Sequence, residues 1–125
     1  MLINNAAFLK ILKKHPELCA LGLAGTDSQL TADFQTERQR LEEAFDAFAL
    51  CCDWLLDCTP LKHVSCVAPE STTLQKLVEQ RFATEIPHGA LIAAALHLRF
   101  PTQPIIDTCH IKVGISSRSP NLPQR

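Results

Sequence analysis

The segment from Ala90 to Leu98 is aliphatic at every position except His97. Alanine and leucine favour the α-helix, and Pro87 and Pro101 punctuate the two ends of the segment. A helix that is apolar on all sides is buried in the core of a protein. We therefore predict a central buried helix from about His88 to Arg99. At roughly 15–18 Å it is too short to cross a bilayer.

Apolar residues at alternating spacings of four and three predict the longest helical segment, from Leu30 to about Cys58. The residues that make this face are Leu41, Phe45, Phe48, Cys52 and Leu55. Positions before Leu41 are mostly polar, so we expect that end to project into solvent. The half around Trp54 is expected to pack against the central helix.

Three shorter segments complete the helical prediction. An apolar stripe predicts a first helix over Asn5–Lys14, and a second helical or loop piece follows over Glu17–Ala24. Thr72 and Gln75 match a capping box, which places the start of another helix that runs to about Phe82.

The pattern changes to an alternation of apolar and polar residues in the C-terminal part of the chain. Pro104–Ile106 and His110–Ile115 read as strands, joined by a turn at residues 107–109. The sequence therefore predicts a mainly α protein of the α+β class, with four or five helices and a C-terminal β-hairpin. We expect one globular domain over residues 1–116 and a flexible tail over residues 117–125.

Composition limits the classes of function. The 125 residues carry a formal net charge of −1, and one Trp and no Tyr are available for stacking on bases. Affinity for nucleic acid would therefore need a local basic patch. The N-terminus lacks the basic start and apolar run of a signal peptide, and no segment is long enough to span a membrane. These features predict a cytoplasmic protein of bacterial type with no membrane association.

Six cysteines occur, at positions 19, 51, 52, 58, 66 and 109. Most lie within apolar patterns, which favours free buried thiols over disulfides. Cys58, His63, Cys66, Cys109 and His110 supply ligand types that zinc accepts, but no tight Cys-x-x-Cys pair is present. No phosphate loop or catalytic motif occurs either. We therefore expect no cofactor, no metal and no enzymatic activity.

The order helix, turn, helix and strand pair, from Thr72 to Ile115, matches that of a winged helix. Its recognition helix would be the segment Ala90–Leu96, which offers no polar side chain to a base edge. A basic face would have to be built from Lys62, Lys76, Arg81, Arg99 and Lys112. A winged-helix-like nucleic-acid-binding protein is therefore the alternative interpretation.

Three motifs carry a resemblance to a known family. They are Cys52-x-Trp54-Leu55, Ser71-x-x-Leu74-x-x-x-Val78-Glu79 and Ile86-x-x-Gly89-Ala90-x-Ile92-Ala93-Ala94-Ala95-Leu96-x-Leu98-x-Phe100. Over residues 51–116 the chain resembles a family of small uncharacterised bacterial proteins carried on plasmids and other mobile elements. The resemblance implies a mobile-element origin and a shared fold, and it implies no particular activity.

The functional prediction is a small, non-enzymatic cytoplasmic interaction protein that associates with itself or with a protein partner. A chain with two or three strands is expected to leave the strand from His110 to Ser116 at an edge. An unpaired edge that carries Ile111, Val113 and Ile115 is a template for a strand of another chain. We therefore predict association through these residues, most simply as a two-fold homodimer.

Overall fold

Five helices and two small antiparallel sheets make up the fold in the computed structural model, which describes residues 4–23, 32–105 and 108–122. The elements are α1 (Asn5–Lys14), β1 (Leu18–Cys19), β2 (Gly22–Leu23), α2 (Ala32–Glu42), α3 (Phe45–Leu55), α4 (Ser71–Phe82), α5 (His88–His97), β3 (Thr102–Pro104) and β4 (Ile111–Val113). The strands pair as β1 with β2 and β3 with β4. The predicted mainly α fold with a C-terminal β-hairpin is confirmed.

Helix α5 is the centre of the core, as its sequence predicts. Every residue from His88 to Ala95 is buried. Helices α1, α3 and α4 and both strands of the first sheet contact α5, and α3 makes the most extensive contact. The small side chains of Ala90, Ala93 and Ala94 allow these neighbours to approach closely on several sides at once.

The predicted single helix from Leu30 to Cys58 is wrong, because it divides into α2 and α3 at Glu43 and Ala44. Ala44 leaves the helical region, with φ −100° and ψ 36°. After the break α3 packs along α5, whereas α2 packs against β1. The N-terminal half therefore lies against the domain with Phe34 buried, while most of its polar side chains are exposed.

Arg38 on α2 closes the C-terminal end of α1. Its guanidinium group donates hydrogen bonds to the carbonyl oxygens of Leu12 at 2.6 Å, His15 at 3.1 Å and Leu18 at 2.9 Å. The last carbonyl groups of a helix have no partner within the helix and carry its negative dipole end. Because its acceptors are Leu12 in the last turn of α1, the following residue His15 and Leu18 in β1, Arg38 ties α2 to the end of α1 and to β1.

Replacement of Arg38 by alanine should lower the free energy of unfolding by about 2–3 kcal/mol, because three partly buried carbonyl oxygens lose a charged donor. Arg40 provides the matched control, since it is exposed and its partner among the described residues is Glu37 on the same helix. Arg40→Ala should cost less than about 0.5 kcal/mol. Urea unfolding followed by circular dichroism compares the two variants, and equal losses would contradict the role of Arg38.

The segment after α1, expected as a helical or loop piece, forms a short hairpin. Leu18 pairs with Leu23 and Cys19 with Gly22. Gly22 has φ +126°, which an L side chain rarely adopts. The backbone carbonyl oxygen of Cys109 accepts a hydrogen bond from the backbone N–H of Leu23. This bond joins the hairpin to the loop before β4. The end of the predicted piece, at residue 24, lies outside the described residues.

The prediction that β4 is an unpaired edge is wrong. One side of β4 pairs with β3, with Thr102 opposite Val113 and Pro104 opposite Ile111. On the other side Val113 N–H donates to the carbonyl oxygen of Pro69, and Lys112 forms a bridge with Glu70. A further bridge joins Pro60 to Ile115. The irregular segments around the two prolines therefore occupy the edge that the sequence pattern leaves open.

The predicted flexible tail is also wrong over residues 117–122, which pack against the domain. Ser119 is buried, and its hydroxyl oxygen accepts a hydrogen bond from Thr59 N–H at 2.9 Å. The Asn121 amide donates to the carbonyl oxygen of Trp54 at 2.7 Å and accepts a hydrogen bond from the Cys58 thiol at 3.2 Å. Polar side chains therefore hold this segment to the end of α3. Residues 123–125 lie outside the described residues.

Candidate functional site

A polar cluster lies where α4, α5 and the start of β4 meet. Ser71 is the first residue of α4, Gln75 lies one turn later, and His88 is the first residue of α5. The Nε2 atom of His88 lies 2.7 Å from Ser71 Oγ, and its Nδ1 atom lies 2.9 Å from Gln75 Oε1. His110, just before β4, places its Nδ1 atom 3.4 Å from His88 Nε2.

The surrounding hydrogen bonds determine the tautomer of His88. The Gln75 amide nitrogen donates to the carbonyl oxygen of Ile86 at 2.7 Å, so its Oε1 atom faces His88 as an acceptor. Nδ1 of His88 must then carry the proton, which leaves Nε2 to accept a hydrogen bond from the Ser71 hydroxyl. The Glu79 carboxylate accepts a hydrogen bond from the backbone N–H of Ile86 at 2.9 Å and stabilises the same turn.

The Ser71 hydroxyl, the His88 imidazole and the Gln75 amide oxygen follow one another in the same order as the three groups of a Ser-His-acid triad. Ser71, however, has no exposed surface, and its oxygen already accepts a hydrogen bond from Ile111 N–H at 3.0 Å. A substrate therefore has no path to this oxygen in the folded chain. Among the described residues, every buried side-chain nitrogen and oxygen has a partner. The cluster is closed, and its geometry is that of an internal joint between α4, α5 and β4.

The environment of His88 favours the neutral imidazole. Burial, and after it the neighbouring His110, lowers the pKa of His88 from its usual 6.5 to about 4. A neutral ring keeps one donor and one acceptor, which is the pair that Gln75 and Ser71 require. Protonation would break the bond from Ser71, so the joint depends on the uncharged form.

The five potential metal ligands named in the sequence lie in different places. Cys58 contacts Asn121, and Cys66 is exposed near Lys112. Cys109 lies 3.8 Å from the ring of its neighbour His110. Within the described ranges no three His, Cys, Asp or Glu side chains come together in a way that would hold a metal ion. His63 is exposed and joins none of these contacts.

The cysteines divide by burial into protected and accessible thiols. Positions 19, 51, 52 and 58 are buried, Cys109 is half-buried and Cys66 is exposed. Burial raises the pKa of Cys52 to about 12 and that of Cys58 to about 11, and the pKa of Cys51 rises further. The thiolate is the reactive form of cysteine. The buried thiols therefore pack as small apolar groups.

Alkylation should separate these two groups. Iodoacetamide at pH 8 should modify Cys66 within minutes, whereas Cys51, Cys52 and Cys58 should react only after denaturant is added. Mass spectrometry of peptides measures the modified fraction at each position, and the sample in denaturant confirms that all six can react. Modification of Cys52 at the rate of Cys66 in native protein would contradict this packing.

The basic residues proposed for nucleic acid do not gather around a recognition helix. The helix in that position, α5, is buried over His88–Ala95 and cannot enter a major groove. Lys62, Lys76, Arg81 and Arg99 are exposed on other segments, and Lys112 is half-buried. Arg81 lies over the ring of Phe82, 5.0 Å from its centroid. The elements follow the order of a winged helix, but the helix in the position of the recognition helix is buried and cannot contact DNA.

The residues proposed for association, Ile111, Val113 and Ile115, belong to the core and are at most 3% exposed. An open apolar surface lies nearby instead. Residues from the 61–69 loop, α4, the end of the hairpin and the C-terminal segment line a groove of about 360 Å³. We call it the apolar groove, defined by Leu61, Val67, Pro69, Leu77, Ile115 and Leu122.

Two apolar side chains of the apolar groove are unusually exposed to solvent. Val67 is 86% exposed and Leu61 is 38% exposed. Single exposed apolar residues are common on protein surfaces, but exposed apolar residues that gather at a concave site indicate a binding surface. The sequence pattern does not reveal this groove, because its walls come from a loop and a segment predicted to be flexible.

The hydrophobic pattern does not predict the polar cluster either, because Thr72 and Gln75 match a capping box. Helix α4 instead begins at Ser71 after Glu70, and Glu70 makes no side-chain cap. Gln75 turns toward His88 and the turn before α5. The only signal in the sequence is a histidine at the start of the predicted central helix and another at the start of the predicted strand His110–Ile115.

Comparison of the chain with protein-family models, curated proteins and solved structures found no match. The resemblance to mobile-element proteins therefore stays a prediction. No helix in the described part of the chain combines the length and hydropathy needed to span a membrane.

Proposed function

We propose that this chain is a non-enzymatic protein-binding domain and that the apolar groove is its binding surface. The observation that carries the proposal is the exposure of Val67 and Leu61 on the wall of a concave apolar site. Burial of one such side chain in a complex would contribute about 1.5–3 kcal/mol. A groove of this size accepts one or two large side chains of a partner.

The closed polar cluster supports the non-enzymatic part of the proposal. The Ser71 hydroxyl is hydrogen-bonded to an imidazole, as a serine nucleophile would be, but both its hydrogen-bonding roles are already filled inside the fold. An active site needs a reacting group that substrate can contact. The accessible feature is apolar, and apolar pockets lined by a loop are typical of protein recognition.

Comparison of three forms of the tagged protein tests this function. Wild type, Val67→Asp and Leu21→Asp are each used to capture proteins from native cells, and the bound proteins are quantified. Leu21 is the matched control, because it is an apolar residue 60% exposed outside the groove. We expect a bound protein that Leu21→Asp retains and that Val67→Asp loses by about tenfold or more.

Light scattering of the same three proteins tests whether the partner is a second copy. A wild-type dimer that only Val67→Asp dissociates would make the groove a homodimer interface. The proposal is wrong if identical proteins are bound by all three forms and the oligomeric state does not change. Unfolding curves are a necessary control, and both substitutions should leave stability within about 0.5 kcal/mol of wild type.

A further inference from the structure

Positive charge borders the apolar groove. Lys112 donates a hydrogen bond from Nζ to the carbonyl oxygen of Cys66 at 3.1 Å, which places its ammonium group beside Val67. Three more cations stand next in sequence to residues that line the groove, namely Lys62 after Leu61, Lys76 before Leu77 and Arg118 after Ser117. All three are exposed. Lys112 therefore lies at the border of the apolar groove, and three exposed cations are next in sequence to residues that line it.

Negative charge is scarce at the same border. Within the described part of the chain, no Asp or Glu lines the apolar groove, and Glu70 is the one carboxylate next in sequence to a lining residue. Asp53 and Asp57 line a separate depression beyond Leu77, where they share the site with Arg81. Among the described residues next to the groove lining, positive charges therefore outnumber negative ones, even though the whole chain carries −1. Oppositely charged groups on a partner would be attracted to this border.

We infer that the apolar groove binds a segment of a partner protein in which a large apolar side chain is flanked by Asp or Glu. This inference rests on the proposed function and specifies the chemistry of the partner. The apolar side chain fills the space beside Val67 and Leu61. The flanking carboxylates reach the ammonium groups at the border, which steer association and fix the direction of the segment.

Nucleic acid fits this surface less well, although Lys62, Lys76 and Lys112 belong to the basic set considered for it. Binding to phosphate backbones uses cations and polar donors over an extended surface. Here the site beside Lys112 is an apolar depression that contains Val67, and among the described residues no Trp or Tyr lines it for stacking on a base. An apolar anchor with acidic flanks satisfies both parts of the surface.

Selection from a random library of displayed 12-residue peptides provides the test. Peptides are selected on wild-type protein and depleted on Val67→Asp, and the enriched sequences are then measured by fluorescence anisotropy. We expect a consensus with one large apolar residue flanked by Asp or Glu. Val67→Asp should weaken binding of a selected peptide by about tenfold or more.

Charge reversal at the border gives a second readout. The double variant Lys62→Glu/Lys76→Glu should weaken the selected peptide about fivefold and flatten the dependence of its affinity on salt. The matched control is Lys10→Glu/Lys13→Glu, which makes the same charge change at exposed positions on α1 and should leave affinity unchanged. Equal effects of the two double variants would overturn the inference.

The remaining outcomes separate the inference from the proposed function. Peptides that depend on Val67 but carry no acidic residues, or carry basic ones, overturn the inference and leave the binding groove in place. A library that yields no peptide dependent on Val67 overturns both. Duplex DNA binding that Lys62→Glu/Lys76→Glu removes and Val67→Asp retains would overturn the inference in favour of nucleic acid.

Discussion

Replacement of Gly89 by alanine should lower the free energy of unfolding by about 3 kcal/mol or more, enough to prevent folding of a marginally stable domain. Gly89 is the second residue of α5 and faces the first hairpin. A Cβ atom at this position would overlap the backbone carbonyl oxygen of Cys19 and would lie 3.2 Å from a methyl group of Leu41. The obstacle is backbone, so rotation of a side chain cannot relieve it.

Neighbouring contacts prevent α5 and β1 from moving apart. The N–H of Gly89 donates to the carbonyl oxygen of Ala20 at 3.2 Å, and α5 is packed on its other sides. Gly114→Ala is the control, because its Cβ would meet His63 and Pro101 at 3.1–3.2 Å and small shifts can accommodate it. We expect a loss of about 1 kcal/mol there. Urea unfolding of both variants measures the difference, and a Gly89→Ala protein as stable as wild type would contradict the close approach.

Acid should destabilise the protein by about 3 kcal/mol through His88 alone. The pKa of His88 is about 4 in the folded chain, compared with an ordinary value of 6.5. Above pH 6.5 the ring is neutral in both states. As pH falls from 6.5 to 4 the unfolded chain takes up a proton that the folded chain excludes, so stability is lost over this window. Below about pH 4 this group contributes no further change.

The variant His88→Gln isolates this contribution. A glutamine does not titrate and keeps a donor and an acceptor for Ser71 and Gln75. Between pH 6.5 and 4 the free energy of unfolding of wild type should fall by about 3 kcal/mol more than that of the variant. Urea unfolding at several pH values measures both curves. Parallel curves would show that His88 is not held neutral by the fold.

The local spacing of apolar residues predicts the elements whose hydrogen bonds lie mostly within one segment of the chain. Helices α1 and α4 and the core position of α5 follow from the spacing of apolar residues, and so does the presence of a C-terminal hairpin. The break between α2 and α3 does not, because Leu41, Phe45 and Phe48 keep helical spacing across Ala44. Tertiary contacts produce the break, through packing of α3 on α5 and anchoring of Arg38 at the end of α1.

Features held by polar contacts between distant segments were not predictable from hydrophobic pattern. Pro60 and Pro69 read as breakers, yet the backbone around them pairs with the edge of β4. Ser119 and Asn121 lie in a polar tail that reads as frayed, yet their side chains bond to Thr59 and Trp54. Such hydrogen bonds depend on the tertiary structure, which brings together groups that are distant in sequence. The apolar groove includes residues of the same segments, so the hydrophobic pattern does not predict it.

The most direct test of the proposed binding surface is photo-crosslinking from position 67 in native cells. A benzophenone amino acid replaces Val67 in one protein and Leu21 in a second, since both side chains are exposed and only the first lies in the apolar groove. The binding account predicts a discrete crosslinked product, with another protein or a second copy, from position 67 and not from position 21. The same products from both positions, or none from position 67, would contradict it.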